Sequence, residues 1–116
     1  MKTILQTEAN ECGLACLAMV ANHFGYRCEL GELRRRFAIS LKGITLTQLV
    51  RHAAALELAA RPLRLDLGEV PELQLPCILH WDLNHFVVLT NVHKSLAGSI
   101  NVTIVDPAVG ECIMSL

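Results

Sequence analysis

Three residues in this chain carry side chains suited to acyl transfer at positions where local structure would activate them: Cys12, His85 and Asp106. Cys12 opens the run CGLACLAMVANHF, apolar almost all round, which predicts a buried helix from Cys12 to Phe24 ended by Gly25. A thiol at a helix start feels the positive end of the dipole and the unpaired backbone N–H groups there. Both favour thiolate, the nucleophilic form. The same N–H groups point to where an oxyanion would form. In the polar segment ahead of it, Asn10 is the expected cap and Glu11 complements the dipole. Gln6, in the same segment, can offer a side-chain amide donor.

His85 and Asp106 are linked by topology. The segments Phe86–Val92 and Ile100–Val105 read as strands joined by a short loop, 93–99, that contains Gly98. In an antiparallel hairpin the start of the first strand lies beside the end of the second. His85 opens the first strand and Asp106 follows the second, so both fall at one end of the sheet. A histidine beside a carboxylate is the base and orienter that an activated nucleophile needs. Cys12 and His85 are far apart in sequence, and nothing local brings them together.

Each residue also has a plainer reading. A free cysteine often packs as a small hydrophobe, which is how Cys16, Cys28, Cys77 and Cys112 are read. Asp106 before Pro107 is a common turn residue. His80 competes with His85 as base, but it ends an apolar strand and reads as packing. Asp82 competes with Asp106, but it lies in an expected turn close to His85. His23, His52 and His93 look peripheral. Cys12, Cys16, His80 and His85 do not form a convincing zinc set, because the cysteine pair lies within one buried helix. No metal or cofactor is expected. The run Arg34-Arg35-Arg36 reads as the solvated side of a second helix.

The elements that must position these residues fall in two halves. A second helix is expected over Glu29–Phe37, with Leu30, Leu33 and Phe37 on one face. A third begins at Thr45, where Thr45-Leu46-Thr47-Gln48 matches a capping box and Leu46, Leu49, Val50 and Ala53 follow at helical spacing. Alternation over Leu63, Leu65 and Leu67 predicts a half-buried strand, and 71–76 a connector. Cys77–Trp81 and Glu111–Met114 complete the strand set. Helices first and antiparallel strands later is an α+β arrangement.

Composition bounds the rest. The 116 residues suit one domain, 1–116, and 53% hydrophobic content is enough to fill its core. With 4% aromatics, that core must be Leu, Val, Ile and Ala. A net charge of -1 gives no electrostatic reason to expect nucleic-acid binding. No apolar run approaches the roughly 18 residues of a membrane span, and the start is not a signal peptide. Five cysteines, an odd count, fit reduced thiols better than a disulfide framework.

Several segments together carry a resemblance. Gln6 to Met19 (QTEANECGLACLAM), Leu33-Arg34-Arg35, Lys42 to Leu46, Pro76 to Trp81, Asn84 to Leu89 and Asp106 to Gly110 resemble, in order, the peptidase domain that opens colicin V–type ABC exporters. The resemblance implies a papain-like fold, with N-terminal helices packed on a C-terminal antiparallel sheet. It also implies a Cys12–His85–Asp106 triad and Gln6 in the oxyanion hole. It further implies cleavage of leader peptides after a Gly-Gly pair during peptide export. The implied partners are a leader peptide and the transmembrane and ATPase parts of an exporter, at the cytoplasmic face of the bacterial inner membrane. The resemblance further implies a transporter and ATPase part that this chain does not carry, so an excised or stand-alone domain is expected. The chain stops before the family's usual final strand, so an incomplete sheet is expected. A non-cleaving module that docks exporter substrates, or another papain-like amide chemistry, are the competing functions.

Overall fold

The computed structural model describes residues 1–81 and 85–116, and the side chain of Trp81 is outside that description. Asp82, the competing orienter, therefore lies outside the described residues. Three helices come first: α1 (Cys12–His23), α2 (Leu30–Arg36) and α3 (Leu46–Ala55). A short 3-10 helix, Leu67–Glu72, leads to the strands β1 (Cys77–Trp81), β2 (His85–Lys94), β3 (Ile100–Asp106) and β4 (Gly110–Ser115). The strands form one antiparallel sheet in sequence order. This is the expected α+β arrangement of helices packed on a four-stranded antiparallel sheet.

Apolar patterning accounts for the layers. Every residue of α1 from Cys12 to Ala21 is buried, as an all-round apolar helix requires. Leu14, Leu17 and Met19 are fully enclosed, and each contributes about 1.5–3 kcal/mol by leaving water. α1 packs on β2, with α2 and α3 beside it. Strand β2 is buried on both faces over Phe86–Leu89. Phe86 and Val88 join the cluster around α1, whereas Val87 and Leu89 join Val70, Val102 and Ile104 on the opposite face. That double coverage explains why β2 reads as an uninterrupted apolar run rather than an alternation.

The segment that covers the second face is where the sequence reading needs correction. No strand forms at Leu63–Leu67. The chain instead crosses over the sheet, docking Leu65, Val70 and Leu73, while Leu63 and Leu67 stay exposed. Of the three leucines that alternation put on one face, only Leu65 packs inward, and the segment pairs with no strand among the described residues. A local interaction stops it differently: Glu69 Oε1 accepts the Asp66 N–H at 3.0 Å and opens the 3-10 helix.

The start of α1 also differs from expectation. The cap position is held by Glu11, whose side chain makes no cap hydrogen bond, and Asn10 donates instead to the Ser40 carbonyl at 2.8 Å. At α3 the predicted capping box is complete. Gln48 N–H donates to Thr45 Oγ1 at 3.1 Å, and Thr45 N–H donates to Gln48 Oε1 at 2.9 Å.

Candidate active site

The hairpin β2–β3 brings His85 and Asp106 together as its topology predicts. His85 Nε2 lies 2.7 Å from Asp106 Oδ1, with both side chains partly exposed. An ionised carboxylate only accepts, so Nε2 is the nitrogen that donates to Asp106, and Nδ1 remains for another partner. Asp106 Oδ1 also accepts the Ala108 N–H at 2.9 Å, and the Asp106 carbonyl accepts from Val109 N–H at 3.1 Å. Asp106 thus anchors the turn before Gly110, whose φ of 106° closes it, and holds His85 as well. The same carboxylate therefore serves the turn and contacts the His85 ring. Asp106 is the one side chain hydrogen-bonded to His85 among the described residues.

Cys12 is the first residue of α1 and is buried. It packs in the cluster that contains Phe86 and Val105, the immediate neighbours of His85 and Asp106. Cys16, one turn further on, is fully buried. Its thiol is pushed well above the usual range by desolvation first, then by the charges of Cys12 and Asp106. Burial likewise pushes Cys77 up to about 11 and raises Cys28. Thiols held up in this way stay protonated at neutral pH and pack as apolar groups.

The segment 6–11 completes the site. Gln6 N–H donates to the Pro107 carbonyl at 2.9 Å, which pins the segment beside Asp106. The Gln6 side-chain amide donates to the carbonyls of Glu8 (3.0 Å) and Ala9 (3.3 Å), and its Oε1 is buried without a partner. In this state the Gln6 donors are turned to the local backbone rather than left free.

Sequence reasoning missed the residue that shapes this segment. Glu11 is 1% exposed, and its carboxylate accepts from Thr7 N–H (3.1 Å), Thr7 Oγ1 (2.8 Å) and Glu8 N–H (2.9 Å). Its other oxygen is paired with Arg34 Nε, and Arg34 also donates to Thr7 Oγ1 at 2.7 Å. The Arg34 guanidinium is the main cause that holds the Glu11 carboxyl down at about 2. Arg34 is therefore not simply the solvated face of α2, and neither is Arg36, which donates to the Tyr26 hydroxyl and the Ala55 carbonyl. A carboxylate directly before the helix and next to a cysteine, four positions after a threonine, was the available signal.

The remaining histidines divide as follows. His80 is exposed and stacks on Phe86, with ring centroids 4.4 Å apart. His52 is less peripheral than expected: it stacks on Phe37 at 4.1 Å, and its Nε2 is buried without a partner. Among the described residues, no three His, Cys, Asp or Glu side chains gather as a metal site would need. No helix among them is long and apolar enough to cross a membrane.

The sequence and the fold are similar to those of known proteins. The sequence matches the Peptidase C39 family over residues 1–116. The chain belongs to this family. As a Peptidase C39 member, it is a cysteine peptidase domain. It is similar to the colicin V secretion/processing ATP-binding protein CvaB of Escherichia coli. The two are 51% identical over 92 residues, which cover 79% of this chain and 13% of that protein. It also resembles the lacticin-481/lactococcin-DR transport/processing ATP-binding protein lcnDR3 of Lactococcus lactis subsp. lactis. There the identity is 30% over 116 residues, covering 96% of this chain and 16% of that protein. The chain thus spans a small part of the length of these relatives.

Two solved structures share the fold. A double glycine motif protease from an AMS/PCAT transporter, in complex with the leader peptide, superposes with a TM-score of 0.85 at 32% identity. The match covers 98% of this chain and 79% of that one. The peptidase domain of Streptococcus ComA, a bi-functional ABC transporter involved in a quorum sensing pathway, gives 0.81 at 28% identity, covering 97% and 84%.

Proposed function

We propose that this chain is an endopeptidase that cuts leader peptides after a Gly-Gly pair during peptide export. In this reading Cys12 is the nucleophile, His85 the general base and Asp106 its orienter. The observation that carries it is the 2.7 Å bond between His85 Nε2 and Asp106 Oδ1, which leaves Nδ1 free to take the thiol proton. The Cys12 thiolate attacks the carbonyl of the second glycine, and the oxyanion is held by the Cys12 backbone N–H and the Gln6 amide. Gln6 reaches it by giving up its longer bond, to Ala9. The His85 imidazolium then protonates the leaving amine, and the thioester remains on Cys12. Neutral His85 next takes a proton from water, whose oxygen displaces the thiolate.

The leader-peptide complex of the similar protease and the processing and transport relatives support the substrate and its setting. The partners are a leader peptide and the transmembrane and ATPase parts of an ABC exporter, and the place is the cytoplasmic face of the inner membrane. The test is incubation with a peptide containing a Gly-Gly leader junction, with Cys12→Ala in parallel. Cleavage after the second glycine that vanishes in the variant is the expected result. Binding without cleavage by either protein would assign a docking module instead.

A further inference from the structure

The catalytic reading uses the Gln6 amide and the Cys12 N–H but leaves unexplained a buried carboxylate placed directly beside the nucleophile. Glu11 is costly there. A buried charge must be fully paired, and an unneutralised anion at this point would oppose the negative charge that develops on the oxyanion. The observed arrangement meets both demands. Thr7 and Glu8 direct three donors at one Glu11 oxygen, and Arg34 pairs with the other.

These bonds also determine where Gln6 sits. Its amide rests on the carbonyls of Glu8 and Ala9, and Glu8 is held through its own N–H by Glu11. At the other end, the Glu11 N–H donates to the Glu8 carbonyl at 3.1 Å. The Glu11 carbonyl accepts the Ala15 N–H at 2.9 Å, which starts α1. One residue therefore joins the turn that carries Gln6 to the helix that presents the Cys12 N–H. Arg34 links that turn to α2, and Gln6 N–H links it to Pro107 beside Asp106.

We propose that Glu11, clamped by Arg34, is a positioning residue that holds the two oxyanion donors, the Gln6 amide and the Cys12 N–H, in register with each other. This rests on the assignment of those donors under the proposed function. The pair acts on turnover, because the oxyanion exists only during reaction, and leaves peptide binding and the His85-assisted thiolate in place.

The experiment compares the parent chain with Glu11→Gln, which keeps the shape but loses the charge, and with Arg34→Lys and Arg34→Ala. A peptide with a Gly-Gly junction gives kcat and KM separately, iodoacetamide gives Cys12 alkylation, and NMR gives solvent exchange of the Gln6 side-chain amide protons. For Glu11→Gln and Arg34→Ala, kcat is expected to fall about tenfold to a hundredfold with KM within about threefold. Alkylation, which forms no oxyanion, should stay within about threefold, and Gln6 amide exchange should speed up about tenfold. Arg34→Lys should recover part of kcat. A loss carried by KM, an equal loss of alkylation, or unchanged Gln6 exchange would overturn the proposal. If Glu11→Gln does not fold, Arg34→Lys and Arg34→Ala are judged by the same measures. Should the parent cut no Gly-Gly peptide, the proposed substrate fails, and the exchange comparison still decides the role of Glu11.

Discussion

The backbone N–H of Gln6 donates to the carbonyl of Pro107 at 2.9 Å, so the segment preceding α1 is tied to the turn that follows β3. This contact joins the two halves of the chain at the candidate site. It places a donor-bearing side chain from the N-terminal segment next to the residue after Asp106. Without it, the segment would be held by its own local bonds, by Arg34 and by the Asn10 bond to Ser40.

Asp106→Asn should be a mild change. The Ala108 N–H anchors Oδ1, so an asparagine keeps its oxygen toward His85 Nε2 and preserves the tautomer. The expected loss in kcat is about tenfold, well below the ~10⁴ that a reversed tautomer costs. Asp106→Ala removes both bonds and should lose far more, with a lower melting temperature. Equal losses for the two variants in steady-state kinetics would count against the orienting role.

His85→Ala should sharply slow alkylation of Cys12 at neutral pH, by roughly tenfold or more, because the group that takes the thiol proton is gone. Rates of iodoacetamide modification across pH measure this. Unchanged kinetics would separate Cys12 from His85.

Gly13→Ala should destabilise the fold by about 1–3 kcal/mol. An added Cβ would lie 2.6 Å from Ile44 Cδ1, 2.7 Å from Ile44 Cγ1 and 3.3 Å from Phe86 Cδ2. Ile44 is itself buried and cannot simply swing away. Urea denaturation provides the number, and a midpoint equal to the parent's would show that the core yields freely.

Acid should remove a stabilisation that Glu11 supplies. Its carboxyl is held at about 2 in the folded chain, against an ordinary value of 4.5, chiefly by Arg34 and against the opposing effect of burial. As pH falls below about 4.5 the unfolded chain takes up this proton first, so the contribution is present above that pH and is lost on the way to about 2. Allowing for solvent around the half-exposed Arg34, it is on the order of 2 kcal/mol. The stability gap between the parent and Glu11→Gln should narrow over that window. A gap constant with pH in urea titrations would contradict the assignment.

Thr45→Ala breaks the capping box at α3 and should cost about 1 kcal/mol. Thermal unfolding measures it. Kinetics on the Gly-Gly peptide should change little, since Thr45 makes no contact with the candidate site among the described bonds.

What could be read from sequence alone was whatever depends on short-range pattern. The all-apolar run predicted buried α1, Thr45 and Gln48 announced their capping box, and the hairpin topology placed His85 beside Asp106. Each follows from local periodicity or from the antiparallel pairing of neighbouring strands, with no need to know what packs elsewhere. The leucines at 63, 65 and 67 show the limit. Alternation put all three on one face, whereas only Leu65 packs inward and the backbone lies over the sheet without forming a strand. The tertiary structure alone decided the surroundings of Cys12. Glu11 and Arg34 are distant in sequence, and their pairing exists because α1 and α2 pack together. The Gln6–Pro107 tie likewise exists because the start of α1 meets the end of β3. Cys12 was legible as a candidate nucleophile from its place at a helix start. The register of the groups that would serve it is a property of the packed fold.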